Sequence, residues 1–257
     1  MPVSLHYNDF GKGKPVIILH GLFGSSRNWK GIATLLASEF RVITVDLRNH
    51  GQSGYADSMT YREMAEDVYH LICQLSVKSP TLIGHSMGGK VAMMAALEFQ
   101  RHIKNLIVLD IAPVNYGHKY GKIFAAINSL QLEQVTSRNE AENIINRTIN
   151  DLKLTRFVLQ NLMRSDTGYQ WRINVPKIEE NIDLINKFPK NIDNLKWDNP
   201  ALFLGGQNSS FIQLQFTGAI LELFPAAEIE LIENAGHMLH IEQPVMVADK
   251  IRRFINT

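Results

Sequence analysis

The sequence predicts an α/β fold, a mostly parallel sheet with helices on both faces that carries one inserted helical cap. Three observations predict it. Short apolar runs alternate with helical patterns through most of the 257 residues, as parallel strands with crossover helices require. One run, Thr81-Leu82-Ile83, leads through Gly84-His85-Ser86-Met87-Gly88 straight into an alanine- and methionine-rich helical pattern. That is the signature of a sharp strand-to-helix turn. Between residues 111 and 197 the alternation stops and only helical patterns remain.

Residues 5–9 fit an antiparallel edge strand. Val16-Ile17-Ile18-Leu19 is continuously apolar, as a strand covered on both faces should be, and the runs at 42–45, 81–83, 106–109, 201–204 and 228–232 are assigned likewise. Helical patterns separate them at 28–38, 61–75, 89–99, 211–224 and 245–255. Within the interruption, helices are expected at 122–130, 140–149, 153–163 and 177–187. So long a connection is uncommon in a compact domain unless it serves the site. The expected division is therefore a core of residues 1–110 and 198–257, with residues 111–197 as a cap or lid; the alternative is a helical decoration far from the site.

Composition narrows the partners. Lys and Arg number 26 against 25 for Asp and Glu, a formal charge of +1. No field of one sign argues for nucleic acid or an acidic membrane surface, and a small-molecule partner is expected. Cys73 is the single cysteine, which excludes an intramolecular disulfide and suits a reducing compartment; a buried apolar role is expected for it. The amino-terminal residues lack a basic stretch followed by an apolar one, and no run of about 18 apolar residues occurs, so a cytoplasmic protein without a membrane span is expected. Nothing separates monomer from dimer.

The turn at Ser86 carries the chemistry. A serine hydroxyl is a weak nucleophile at neutral pH and needs an imidazole to take its proton. His237, in Asn234-Ala235-Gly236-His237-Met238 just after the last strand, is the candidate base. An acid is commonly found after the strand preceding that histidine, but here the residues are Gly205-Gly206-Gln207-Asn208-Ser209-Ser210, without a carboxylate. One strand earlier, Leu106-Ile107-Val108-Leu109 ends directly in Asp110 at the carboxyl edge of the sheet. Asp110 is assigned to hold and polarise His237, and Ser209, in the vacated place, is assigned a supporting hydrogen bond. The alternative for Asp110 is a cap of the insertion, with His237 held by Ser209 or by no acid. The developing oxyanion needs aimed donors. Met87 N–H, next to the nucleophile, is one; the loop His20-Gly21-Leu22-Phe23-Gly24-Ser25 supplies the other, with Leu22 the first choice and Phe23 the second.

His240 lies three residues beyond His237 and with Glu233 could suggest a metal pair, but no third ligand stands at metal spacing. No metal and no cofactor is expected. His85 is read as a support of the turn, and Asp46 to Ser53 as a loop shaped by glycine and polar residues beside the site.

Together, Gly84-His85-Ser86-Met87-Gly88-Gly89, His20-Gly21, Asp46 to Ser53, and Ala235-Gly236-His237 followed by Glu242-Gln243-Pro244 resemble the α/β-hydrolase superfamily. Within it, His20 to Ser25, Leu109-Asp110-Ile111-Ala112-Pro113-Val114 and the serine in the acid's usual place resemble the YbfF-type small bacterial esterases. The resemblance implies a Ser86, Asp110, His237 triad with Ser209 close by, a small helical cap, and hydrolysis of esters, with acyl-CoA thioesters as a further substrate class. It departs from the superfamily's general pattern in the missing late acid. Serine at the tip of the turn argues against the halide and epoxide chemistry of relatives that attack with a carboxylate.

Tyr116, Phe124, Ile127, Leu130, Phe157, Leu162, Trp171 and Ile185 are candidates to line an acyl pocket, most of them for packing the cap. Lys119, Lys122, Arg156 and Arg164 could meet a CoA phosphate but fit a solvated helix face better. Other readings are the same fold and triad used for carbon–carbon cleavage, lyase or perhydrolase chemistry, or a ligand-binding scaffold without turnover.

Overall fold

A computed structural model describes every residue except 118, 119, 167, 191, 193 and 194. A seven-stranded sheet forms from β1 (Tyr7–Phe10), β2 (Lys14–Leu19), β3 (Phe40–Val45), β4 (Thr81–His85), β5 (Asn105–Leu109), β8 (Ala201–Gly206) and β9 (Ala227–Ile232), in the order β1-β3-β2-β4-β5-β8-β9. β1 pairs antiparallel with β3, Tyr7 opposite Val45. Every other pair in this sheet is parallel.

Alternation along the strands divides the core. Ile17, Leu19, Ile43, Val45, Leu82 and Val108 face one side, where α2 (Tyr61–Gln74), α3 (Met87–Glu98) and α9 (Thr217–Leu223) pack. Val16, Ile18, Val42, Ile83, Ile107 and Leu109 face the other, covered by α1 (Lys30–Leu36) and α11 (Pro244–Asn256). The central strands are buried throughout, which is why they read as continuous apolar runs.

Two helical expectations shorten. Residues 26–29 form a 3₁₀ turn before α1, and the pattern at 211–224 becomes a 3₁₀ turn at Leu214–Phe216 followed by α9. Phe211 is thereby left in a loop, where it serves the site. α10 (Leu239–Glu242) is a single turn ahead of α11. Cys73 is exposed, not buried. On α2 the buried positions are Tyr61, Met64, Ala65, Asp67, Val68, Leu71 and Ile72, and Cys73 lies one step past that stripe.

Between β5 and β8 stand α4 (Gly121–Asn128), α5 (Arg138–Ile149), α6 (Leu152–Leu159), α7 (Val175–Glu180) and α8 (Ile182–Asn186). The helix expected at 153–163 ends early, because Leu162–Ser165 (β6) and Gly168–Trp171 (β7) pair as an antiparallel hairpin. Ala126, Leu130, Ala141, Ile145, Leu159 and Leu162 form a small core of their own there. The stretch is tied to the rest by Tyr61 O–H donating to Ile185 O at 2.6 Å and Asn161 Nδ2 donating to Phe23 O at 2.8 Å. No helix among the described residues is long and apolar enough to cross a membrane.

Candidate active site

Adjacent strands deliver the chemical groups to one edge of the sheet. β4 ends at Ser86, β5 at Asp110, β8 leads to Ser209 and β9 to His237, while β2, on the other side of β4, leads to Leu22. This is the carboxyl-end crevice where ligands bind open α/β sheets.

Ser86 has φ 52° and ψ −120°, a strained conformation for a residue with a side chain. The strain is imposed by close packing. A Cβ on Gly84 would sit 2.1 Å from Gly88 O, and one on Gly88 would sit 2.4 Å from His20 O, so strand, turn and helix meet with no room for side chains. Ser86 N–H donates to Leu109 O at 3.0 Å, tying the turn to β5.

Ser86 Oγ stands 3.2 Å from His237 Nε2, and His237 Nδ1 stands 2.7 Å from Asp110 Oδ2. The carboxylate accepts the Nδ1 proton, which leaves Nε2 free to accept from the serine hydroxyl. Asp110 is fully buried. Gly206 N–H donates to its Oδ1 at 3.0 Å and Ser209 Oγ donates to its Oδ2 by a very short contact. Phe211 stacks on the imidazole, ring centroids 3.9 Å apart and 19° between planes, and its N–H donates to Ser209 Oγ at 3.2 Å. The structure thus brings Ser86, His237, Asp110 and Ser209 into one chain of hydrogen bonds.

The oxyanion candidates separate. Phe23 N–H donates to His50 Nε2 at 3.3 Å, which takes it away from the pocket and corrects its place as second choice. Leu22 and Met87 both line the pocket beside Ser86, and no acceptor among the described residues takes their N–H groups. The loop behind them is braced from the segment 46–53. Asp46 accepts from Ser26 N–H at 2.6 Å and Gln52 N–H at 2.9 Å, and His20 Nε2 accepts from Leu47 N–H at 3.0 Å. Burial raises the Asp46 pKa, but His20 and these donors outweigh it and hold the carboxyl below its usual range. Arg48 meets Asp67 at 2.6 Å in a buried ion pair.

Four imidazoles are buried around this frame. Burial lowers the pKa of His20; burial, with His20 nearby, lowers His50 to about 3; burial, with His237 nearby, lowers His240 to about 3. His85 is pushed well down by burial and by His240 and His237. It donates from Nε2 to His237 O at 2.8 Å, which ties the turn to the loop that carries His237. His240 stacks on Trp29 at 4.2 Å, a packing role.

The pocket beside Ser86 has a free volume of about 20 Å³ and is lined also by Ile111, Tyr116, Tyr120, Ile185, Asn186 and Lys90. Of the residues expected to line it, Tyr116 and Ile185 do; Phe124, Ile127, Leu130 and Leu162 are packed in hydrophobic clusters, with Phe157 and Trp171 against them. Arg156 is paired with Glu142 at 3.1 Å, Lys122 and Arg164 are exposed, and Lys119 lies outside the described residues.

Lys90 was not singled out by the sequence reading. It lies one turn beyond Ser86 on α3 and donates to Asn186 O at 3.0 Å and Lys187 O at 3.1 Å. Its amine stands 5.6 Å from the Tyr61 ring centre and 5.1 Å from that of Tyr116. Burial lowers its pKa to about 7. The signal was present: a lysine in a helix whose other residues from Met87 to Leu97 are all buried and largely apolar.

Residues 14–244 match the alpha/beta hydrolase fold family. Esterase YbfF of Escherichia coli (strain K12) is 36% identical over 246 residues, 94% of this chain and 93% of that protein. The sn-1-specific diacylglycerol lipase ABHD11 of Danio rerio is 36% identical over 266 residues, 99% of this chain and 83% of that protein. A solved marine microorganism esterase superposes with a TM-score of 0.95 at 40% identity, over 98% of this chain and 99% of that one. The chain belongs to the alpha/beta hydrolase fold family.

Proposed function

We propose that the protein is a serine hydrolase of carboxylic esters, with Ser86 as nucleophile, His237 as general base and Asp110 as the acid that holds it. The observation carrying the reading is the continuous run of hydrogen bonds from Ser86 Oγ through His237 to Asp110. Ser86 Oγ bonds to the ester carbonyl carbon as its proton passes to His237 Nε2, and the carbonyl electrons move to oxygen. Met87 N–H and Leu22 N–H receive that charge. Collapse breaks the bond to the alcohol oxygen, which takes the proton from His237. Water repeats the sequence and frees the acid. Asp110 stabilises the imidazolium without taking its proton, and Ser209 helps to hold Asp110.

Residues 111–197 act as the cap in this reading, with residues 1–110 and 198–257 as the core. Support comes from Tyr116, Tyr120, Ile185 and Asn186, which reach from that stretch to the pocket. The pocket's free volume is small, about 20 Å³, which favours short acyl groups over long ones. Acyl-CoA thioesters would pass through the same steps. Of the basic residues considered for a CoA phosphate, Arg156 is engaged by Glu142.

The test is release of nitrophenolate from p-nitrophenyl acetate, butyrate and octanoate by wild type and a folded Ser86→Ala variant. Saturable turnover that falls with acyl length and is lost in the variant is expected. Equal rates in both proteins would overturn the assignment of Ser86.

A further inference from the structure

Lys90 is 2% exposed, and among the described residues it is the one charged side chain lining the pocket at Ser86. Four positions along α3 place it on the serine's face of the helix. The fold pairs its other large buried cation: Arg48 faces the Asp67 carboxylate at 2.6 Å. Lys90 has no such partner among the described residues. Two of its N–H groups donate to Asn186 O and Lys187 O, and the third meets no acceptor among the described residues. A buried ammonium held by two carbonyls and two tyrosine ring faces, with no carboxylate, is still costly. A strut between helix and cap would be served by an uncharged amide, so the charge calls for a separate explanation.

We propose, building on the ester-hydrolase reading, that Lys90 is a specificity-determining residue whose ammonium binds a carboxylate on the acyl part of the substrate. The preferred esters are then short dicarboxylic half-esters. The acyl side follows from the site's two ends. The departing alcohol must lie at His237 Nε2, and the His237 side chain is 32% exposed, so the alcohol lies toward solvent. Lys90 marks the buried end, which the acyl group enters. Small volume and a single cation together select a short chain with a terminal anion. A carboxylate docked there also favours the protonated amine, offsetting the burial that lowers the pKa to about 7.

The experiment compares kcat/KM for monomethyl succinate and methyl pentanoate, followed by methanol release, in wild type, Lys90→Met and Lys90→Gln. Lys90→Gln removes the charge while retaining two N–H donors, on a side chain one bond shorter. Wild type is expected to favour monomethyl succinate by roughly ten- to hundredfold, the worth of a hydrogen bond to a charged group, and both variants to lose that ratio. A wild-type ratio of one or less, with methyl pentanoate still turned over through Ser86, overturns the proposal and leaves the esterase reading intact. A preference that persists in Lys90→Gln overturns it as well. If wild type turns over neither these esters nor p-nitrophenyl esters, the esterase reading fails and the proposal falls with it. Should both variants fail to fold, the wild-type ratio alone decides by the same criterion.

Discussion

Asp110 is held at φ 52° with its side chain fully buried, and His237, Gly206 N–H and Ser209 all direct hydrogens at its two oxygens. An amide in its place would offer His237 a donor where an acceptor is needed, favouring the wrong tautomer. Asp110→Asn is therefore expected to lower kcat by about 10⁴ in a protein that still folds. Ser209→Ala leaves two of the three donors and should cost far less. Steady-state kinetics on p-nitrophenyl butyrate check the ranking, and a crippled Ser209 variant beside a mild Asp110 variant would reverse it. Ser86, Asp110 and His237 were legible because each directly follows, or lies a few residues beyond, an apolar strand. The choice between Leu22 and Phe23 was not, since it turns on His50, 27 residues away, accepting the Phe23 N–H. Lys90 was missed because its neighbours in sequence describe only a buried helix, and the pocket at its tip is assembled from separate segments, from Leu22 to Phe211.

At the scale of elements, the sheet was the most readable part. Strands buried on both faces can hold little but apolar residues, so Val16-Ile17-Ile18-Leu19 and Leu106-Ile107-Val108-Leu109 announce themselves. The hairpin of β6 and β7 escaped because its strands are four residues each and mostly half-exposed, which gives neither a continuous apolar run nor a long alternation. The junction of β4 and α3 is where element packing and chemistry coincide. A Cβ at Gly88 would lie 2.4 Å from His20 O and 2.5 Å from Leu19 O, both backbone atoms that cannot swing aside. Gly88→Ala must push α3 away from β2 and is expected to destabilise by about 1–3 kcal/mol. Activity should fall further, since Ser86 and Met87 move with the helix. Urea denaturation alongside turnover checks this; wild-type stability and rate in the variant would contradict the close approach.

At the scale of the molecule, four histidines among the described residues are kept neutral by burial. Their pKa values lie below the ordinary 6.5, with His50 and His240 at about 3 and His20 and His85 also lowered. Below pH 6.5 the unfolded chain binds protons that the folded one refuses, so stability is fully present above that pH and is lost as pH falls toward the folded values. Each histidine contributes up to about 1.4 kcal/mol per pH unit in that window. Urea midpoints are expected to change little between pH 7.5 and 6.5 and to fall from there to pH 4.5, with a shallower slope in His240→Gln. A flat profile over that range would contradict the neutral assignment.

The central claim is that Ser86, activated by His237 and Asp110, forms a covalent bond with the acyl group. Reaction with a fluorophosphonate, followed by peptide mass spectrometry, tests it most directly, because the reagent bonds only to an activated nucleophile. One adduct per chain on the peptide bearing Ser86, with labelling strongly slowed in His237→Ala, is the predicted result. Labelling at another residue, or ester turnover that continues with Ser86 unmodified at saturating reagent, would contradict it.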